Sequence, residues 1–393
     1  MSPLPRINDW TPPRAFDLER VWPWIAASRR KAIRLHPVAA AQMLPANASK
    51  MGGAFLWPAA EPWPHCRERD AVLDWMPPIT WERFVEISRE SKLSERMVKS
   101  GLVGEVPKLS GDFKADSARW EEASRKLEQL YERERTKGLP KLTPAEVAEA
   151  KQAFALEQKM DARRRLPHNT PYAPILQLRR DDFPELPWPP GQDLFQLLWC
   201  PQVHFEGNGM HDADEKPTQT PGYVAKWRTE RLVGKTLAAM PKLEEPFQEC
   251  GLQPEDVIEY PQANEFDPEE IEPHLRTMEP WLARVPHRGQ LIPNAGWRYS
   301  QDLAAAPGTK LLGHPRWIHG DETPECASCG ERMRLLLTCA SREEVDSPAW
   351  SAARFHASQE KYENPHGLRW GNAYLFYCAR CKPLRLASVV QTS

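Results

Sequence analysis

Whatever fold this chain adopts must bring two distant short turns to one point. Cys326-Ala-Ser-Cys329-Gly330 and Cys378-Ala-Arg-Cys381 are both C-x-x-C. That spacing lets two thiolates from one tight turn reach the same metal. Four thiolates so arranged suit tetrahedral Zn²⁺, and a closed four-sulfur site is usually structural, because no position is left for water. Subtraction leaves 48 residues between Cys329 and Cys378. Common zinc patterns leave roughly 15–20 residues there. The stretch is therefore expected to hold two strands and a loop. A redox dithiol is the runner-up reading, and it needs one pair on a helix N-terminus that stabilises a reactive thiolate. Cys339 falls in an apolar strand and reads as core.

A second constraint is self-similarity. Residues 50–66 and 310–326 align at a constant offset of 260, with five of 17 positions identical: Lys50/Lys310, Gly53/Gly313, Trp57/Trp317, Pro64/Pro324 and Cys66/Cys326. Chance gives about one match at average residue frequencies. The parallel continues in Ile175–Leu178 against Leu335–Thr338, and in Gly191–Cys200 against Gly371–Cys378. The expectation is an α+β chain: a β-rich, internally duplicated domain with a zinc site in the second copy. The first copy spans 1–80 and 166–222, and the second spans 223–393. The first keeps only Cys66 and Cys200. With His65 and His204 nearby in sequence, these make a second, degenerate metal site one reading and two buried apolar thiols the other.

Residues 81–165 break the pattern and read as a helical insertion. Trp120, Ala123, Leu127, Leu130 and Tyr131 recur at helical period, and Thr143-Pro144-Ala145-Glu146 is a capping box with proline at the first helical position. Elsewhere proline is abundant, 40 residues in 393, which points to short elements joined by stiff connections. Gly52-Gly53 reads as a strand-entry turn needing positive φ.

The formal net charge is -2, which argues against a nucleic-acid coat or a polybasic membrane binder. No apolar stretch approaches the roughly 20 residues that span a bilayer. With no signal peptide evident and paired thiols that favour a reducing compartment, a cytoplasmic protein is expected. No nucleophile elbow, phosphate-binding loop or H-E-x-x-H is present. His211, Asp212, Asp214 and Glu215 are able to ligate a hard cation but read more simply as a solvated loop. Arg163–Arg165 and Arg179–Arg180 are isolated basic patches.

Several phrases resemble the YwqG-like family, also called the DUF1963 domain. They are Ser49 to Pro58, Pro62-Trp-Pro-His-Cys66, Ile175-Leu-Gln-Leu178, Asp193 to Pro201, Gly308 to Ile318 and Asn372 to Cys378. The match covers most of the chain outside 81–165. The second half is also similar to the eukaryotic programmed-cell-death-protein-2 family, whose Lys-x-Gly-Gly-x-Pro-x-Trp phrase precedes C-x-x-C-G. Here Leu312 replaces the first glycine. No enzymatic activity is established for the family, so the resemblance carries over no catalytic residues. It implies immunity roles, from bacterial relatives near toxin genes, or a dedicated chaperone, from the eukaryotic relatives.

The reading is a non-enzymatic, zinc-stabilised module that grips a polypeptide partner, a toxin or a client protein. Trp57, Trp188, Trp317 and Trp370 are expected to line a groove between the copies. Two alternatives belong to other classes. One is an RNA- or ribosome-associated factor with a basic face on the insertion. The other is a metal-dependent hydrolase using His65, His204 or His211.

Overall fold

The computed structural model describes residues 2–14, 17–66, 170–206, 218–243, 247–282, 295–343, 349–350 and 371–391. The expected insertion at 81–165, the loop at His211 and Trp370 lie outside these residues. The described strands belong to one compact unit, Met1–Cys66, Thr170–Gly207 and Lys216–Ser393, while Arg67–Asn169 and Asn208–Glu215 form another. No helix among the described residues is long and apolar enough to cross a membrane.

Two runs of four antiparallel strands dominate. The first comprises β3 (Lys50–Met51), β6 (Ala173–Arg179), β7 (Leu194–Glu206) and β8 (Thr218–Arg228), paired in that order. The second comprises β11 (Lys310–Leu312), β12 (Arg334–Ala340), β13 (Asn372–Tyr377) and β14 (Leu386–Gln391). β6, β12 and β13 are almost continuously apolar and buried, as strands covered on both faces must be.

The registers of the two runs match strand by strand. Lys50 and Met51 face Gln177 and Leu176; Lys310 and Leu311 face Thr338 and Leu337. One irregularity falls between Pro174 and Leu176, and the other between Leu335 and Leu337. Gln177 therefore corresponds to Thr338, one residue away from the ungapped match of Ile175–Leu178 with Leu335–Thr338. The chain also repeats its side-chain contacts. Ser49 Oγ donates to Asp182 and accepts from the Arg179 N–H; Thr309 Oγ1 donates to Glu343 and accepts from the Ala340 N–H.

The runs meet where β14 pairs with β8, at Val390 and Gln219. Their outer ends are joined by two further segments. β1 (Arg30–Arg34) and β2 (Val38–Ala39) pair with β10 (Glu255–Glu259) and β9 (Cys250–Gly251) in one continuous register. β1 also borders β11, and β9 borders β3. The pairing is thus circular, with β10 and β2 each bordered by a strand on one side only. Ile33, Met51, Leu176, Leu197, Leu311, Leu337 and Leu375, drawn from both runs and the joining strands, form the main core.

Among the described residues, three α-helices sit outside the sheet. α1 (Leu18–Val21) is capped by Asp17, whose Oδ1 accepts from the Glu19 and Arg20 N–H groups. α2 (Pro268–Leu282) begins with proline, and Asp267 accepts from the Glu269 N–H. Glu269 and Glu270 thus fall in the first turn of a helix, where carboxylates suit its N-terminal dipole. With α3 (Ala295–Asp302), they bury Leu18, Trp22, Ile271, Leu275 and Tyr299 in a separate apolar cluster.

Candidate metal centre

The antiparallel pairing of β12 with β13 brings the cysteine turns together. Arg334, at the start of β12, faces Tyr377, at the end of β13. The turn before one strand therefore lies beside the turn after the other, and β12 and β13 both fall within the 48-residue spacing. Each turn is a small hairpin. In the first, the Cys326 N–H bonds to Glu331 O at 2.8 Å, and the Cys329 and Gly330 N–H groups both bond to Cys326 O at 3.1 and 2.8 Å. Gly330, at φ +69°, allows that tight return. In the second, the Cys378 N–H bonds to Arg385 O at 2.9 Å.

The four sulfurs all lie within 4.8 Å of one another. Cys326 Sγ is 3.8 Å from Cys381 Sγ, and Cys329 Sγ is 3.6 Å from Cys378 Sγ. A tetrahedron with Zn–S bonds of about 2.3 Å sets its sulfurs ~3.8 Å apart. The donor set therefore fits a tetrahedral thiophilic cation. Below the sulfurs lie Trp317, Met333, Leu335, Tyr374 and Phe376. Cys326 and Cys378 are buried, while Cys329 and Cys381 are partly exposed.

The Cys381 N–H, 3.4 Å from Cys378 Sγ, helps draw the Cys378 thiol down to about 7. Hydrogen bonding to Cys329 pushes Cys381 up to about 12. The sulfurs share protons among themselves, and a dication seated between them takes the protons' place. Loading then releases protons and is favoured as pH rises. Neither turn stands on a helix N-terminus, so the redox-dithiol reading loses its requirement. Cys339 is buried in β12, as expected, with its thiol pushed up by burial.

Among the described residues, these four cysteines are the only group of three or more side chains placed to hold a metal ion. His65 and Cys66 lie in β4 (His65–Cys66), which pairs with β5 (Thr170–Pro171). His65 is exposed, with Nδ1 2.9 Å from Trp63 O, whereas Cys66 and Cys200 are buried. His204 is paired with Thr220 in the β7–β8 ladder. His65, Cys66 and Cys200 do not themselves assemble as a three-ligand group.

The expected tryptophan groove is corrected by burial. Trp57 is 0% exposed and Trp317 is 3% exposed, so neither presents a surface to a partner. Trp57 packs on Trp63 at 5.0 Å and carries Arg228 over its ring at 4.5 Å. Trp317 stacks on Phe376 and packs at a tilt against Tyr374. Trp188 is half-buried and sits edge-on to Trp227. Trp57 and Trp317 each belong to a buried apolar cluster of their own strand run.

Sequence reasoning missed a set of buried ions. Lys310 is wholly enclosed, donating to Glu259 and to His314 O, each at 2.6 Å. Lys50 bonds Glu249 at 2.8 Å in the first run. The identity of Lys50 and Lys310 in the aligned segments is the signal that could have found them.

No protein-family model matches the chain, and no curated protein matches it.

Proposed function

We propose that this is a duplicated YwqG-like module, stapled by structural zinc in its second half, that acts without enzymatic activity by binding a polypeptide. The observation that carries this reading is the pairing of two register-matched strand runs with one closed four-sulfur centre. Matching bulges and the repeated Ser49–Asp182 and Thr309–Glu343 contacts favour a common origin for the runs. A four-thiolate set leaves no coordination position for a reacting water, which favours a staple over catalysis.

The partner is a toxin, for an immunity protein, or a client, for a dedicated chaperone. Among the described residues nothing favours the RNA-binding or hydrolase alternatives. Arg179 is engaged by Asp181 and Glu230 rather than free for phosphate, and Arg163–Arg165 and His211 lie outside the described residues.

The test is affinity purification of the full chain from its native host. A stoichiometric polypeptide should co-elute and, once isolated, rebind the purified chain saturably. A chain that elutes alone, or a co-eluting protein that does not rebind, overturns the reading.

A further inference from the structure

We propose that the four-cysteine centre exchanges its metal for two disulfides that cross between the turns, Cys326–Cys381 and Cys329–Cys378, leaving the second strand run folded. The proposal rests on the zinc reading above. The oxidant is of the peroxide class.

The sulfur pairs at 3.8 and 3.6 Å both cross from one turn to the other. Each pair joins one buried thiol, Cys326 or Cys378, to one partly exposed thiol, Cys381 or Cys329. An oxidant from solvent meets the exposed member first, and the buried member waits behind it. The chain's other four cysteines, Cys66, Cys200, Cys250 and Cys339, are all buried. Oxidation is therefore steered to this centre.

The chemistry balances with peroxide alone. The exposed sulfur, deprotonated as a ligand of the zinc-loaded chain, attacks the O–O bond, forming a sulfenic acid and releasing hydroxide. The cross-turn thiolate then attacks that sulfur, forming S–S and expelling a second hydroxide. Each event takes two electrons from a thiolate pair and reduces one peroxide. Two events consume all four thiolates, and Zn²⁺ leaves with its charge unchanged. A dithiol reductant reverses both disulfides and restores the ligands.

The structural consequence is specific. Bonds crossing between the turns tie together the same two hairpins the metal ties. Disulfides within each turn, Cys326–Cys329 and Cys378–Cys381, would leave the hairpins free to part. The oxidised, metal-free chain should stay folded, whereas the reduced chain stripped by a chelator should not.

The experiment treats the full-length, zinc-loaded chain with hydrogen peroxide. Zinc release is followed with a chromogenic chelator, disulfides by non-reducing peptide mapping, and folding by thermal melting. The expected result is loss of the bound zinc, both cross-turn disulfides, and a cooperative melt well above that of the chelator-stripped reduced chain. In Cys381→Ser, only the Cys329–Cys378 disulfide should form, with Cys326 left open to alkylation. Disulfides within each turn, or a melt matching the stripped chain, overturn the exchange while leaving the zinc reading intact. A chain that never takes up zinc overturns that reading and the exchange with it.

Discussion

Gly52 and Leu312 hold corresponding positions at the ends of β3 and β11, and both have left-handed backbone, with φ of +64° and +58°. The first needs glycine for a second reason. A Cβ at Gly52 would lie 2.6 Å from Gln248 O, a backbone atom that has no side-chain freedom to retreat. Gly191 has φ +75°, and a methyl group there would meet nothing within 4 Å. Left-handed backbone costs an L-residue roughly 1–2 kcal/mol. Gly191→Ala should cost about that much. Gly52→Ala should cost clearly more, because overlap adds to strain. Denaturant titration of the two variants checks the order, and equal losses would contradict it.

The two buried lysines make a sharper comparison. Glu259 is fully enclosed, and besides Lys310 it accepts from the Ala306 and His314 N–H groups. Lys310→Met leaves that carboxylate without its cation, and breaking such a pair costs about 3–5 kcal/mol. Glu249 retains 15% side-chain exposure, so water compensates part of its charge. Lys50→Met should therefore be the milder substitution. Urea unfolding of both variants measures the difference, and a larger loss for Lys50→Met would refute the argument.

Acid should destabilise the chain in two overlapping steps. Burial, helped by Arg34, lowers His36 from 6.5 to about 4. Below pH 6.5 the unfolded imidazole takes a proton that the folded one refuses until about pH 4, so stability falls as pH drops through that window. Glu255 moves in the same sense for stability. Burial opposes its charge, but hydrogen bonds from His36 and Thr11 outweigh that and hold it at about 2, against an ordinary 4.5. Its contribution is lost as pH falls from 4.5 towards 2. The two groups touch, His36 Nε2 lying 3.0 Å from Glu255 Oε2. His36→Gln should flatten the pH dependence between about 4 and 6.5 and also shrink the lower step, because the imidazole that helps hold Glu255 down is gone. Unchanged curvature there, in denaturant midpoints measured across pH, would rule out His36 as its source.

The cysteine turns and the apolar strands are legible in sequence because their signals are local. C-x-x-C fixes two ligands in one turn, and Leu335-Leu336-Leu337 has no amphipathic reading to confuse it with a surface element. The misplaced features depend on geometry that identity alone does not carry. Trp57 and Trp317 have the same composition signal whether they line a groove or plug a core, and burial decides for the core. The ungapped match of the two halves slips by one residue at β6 because strand irregularities alter pairing without marking the sequence. Leu312 gives no hint of left-handed backbone, since glycine is the residue that advertises it. The pairing of residues 30–39 with 250–259, which closes the sheet, joins segments too far apart for any local pattern to reveal.

The metal content of the chain should be about one zinc, not two. Cys66 corresponds to Cys326, and the hairpins around them are alike: the Tyr172 N–H bonds to Pro64 O at 3.0 Å, and the Met333 N–H to Pro324 O at 2.9 Å. The similarity stops at the tip of the turn. After Cys326 the chain turns within Ala327–Gly330, delivers Cys329, and returns to Glu331. After Cys66 it leaves for more than a hundred residues before Thr170 pairs back against Cys66. The second ligand of the turn has no counterpart in the described part of the first run. Cys66→Ala and Cys200→Ala should therefore leave zinc content unchanged and cost only the small packing loss of a buried thiol, about 1 kcal/mol. Cys329→Ser or Cys378→Ser should lower zinc content and loosen the second run, because binding and folding of such a site are coupled. Elemental analysis of the wild type and the four variants decides the matter. Two zinc ions per chain, or zinc lost with Cys66→Ala, would show that the first run holds a metal of its own.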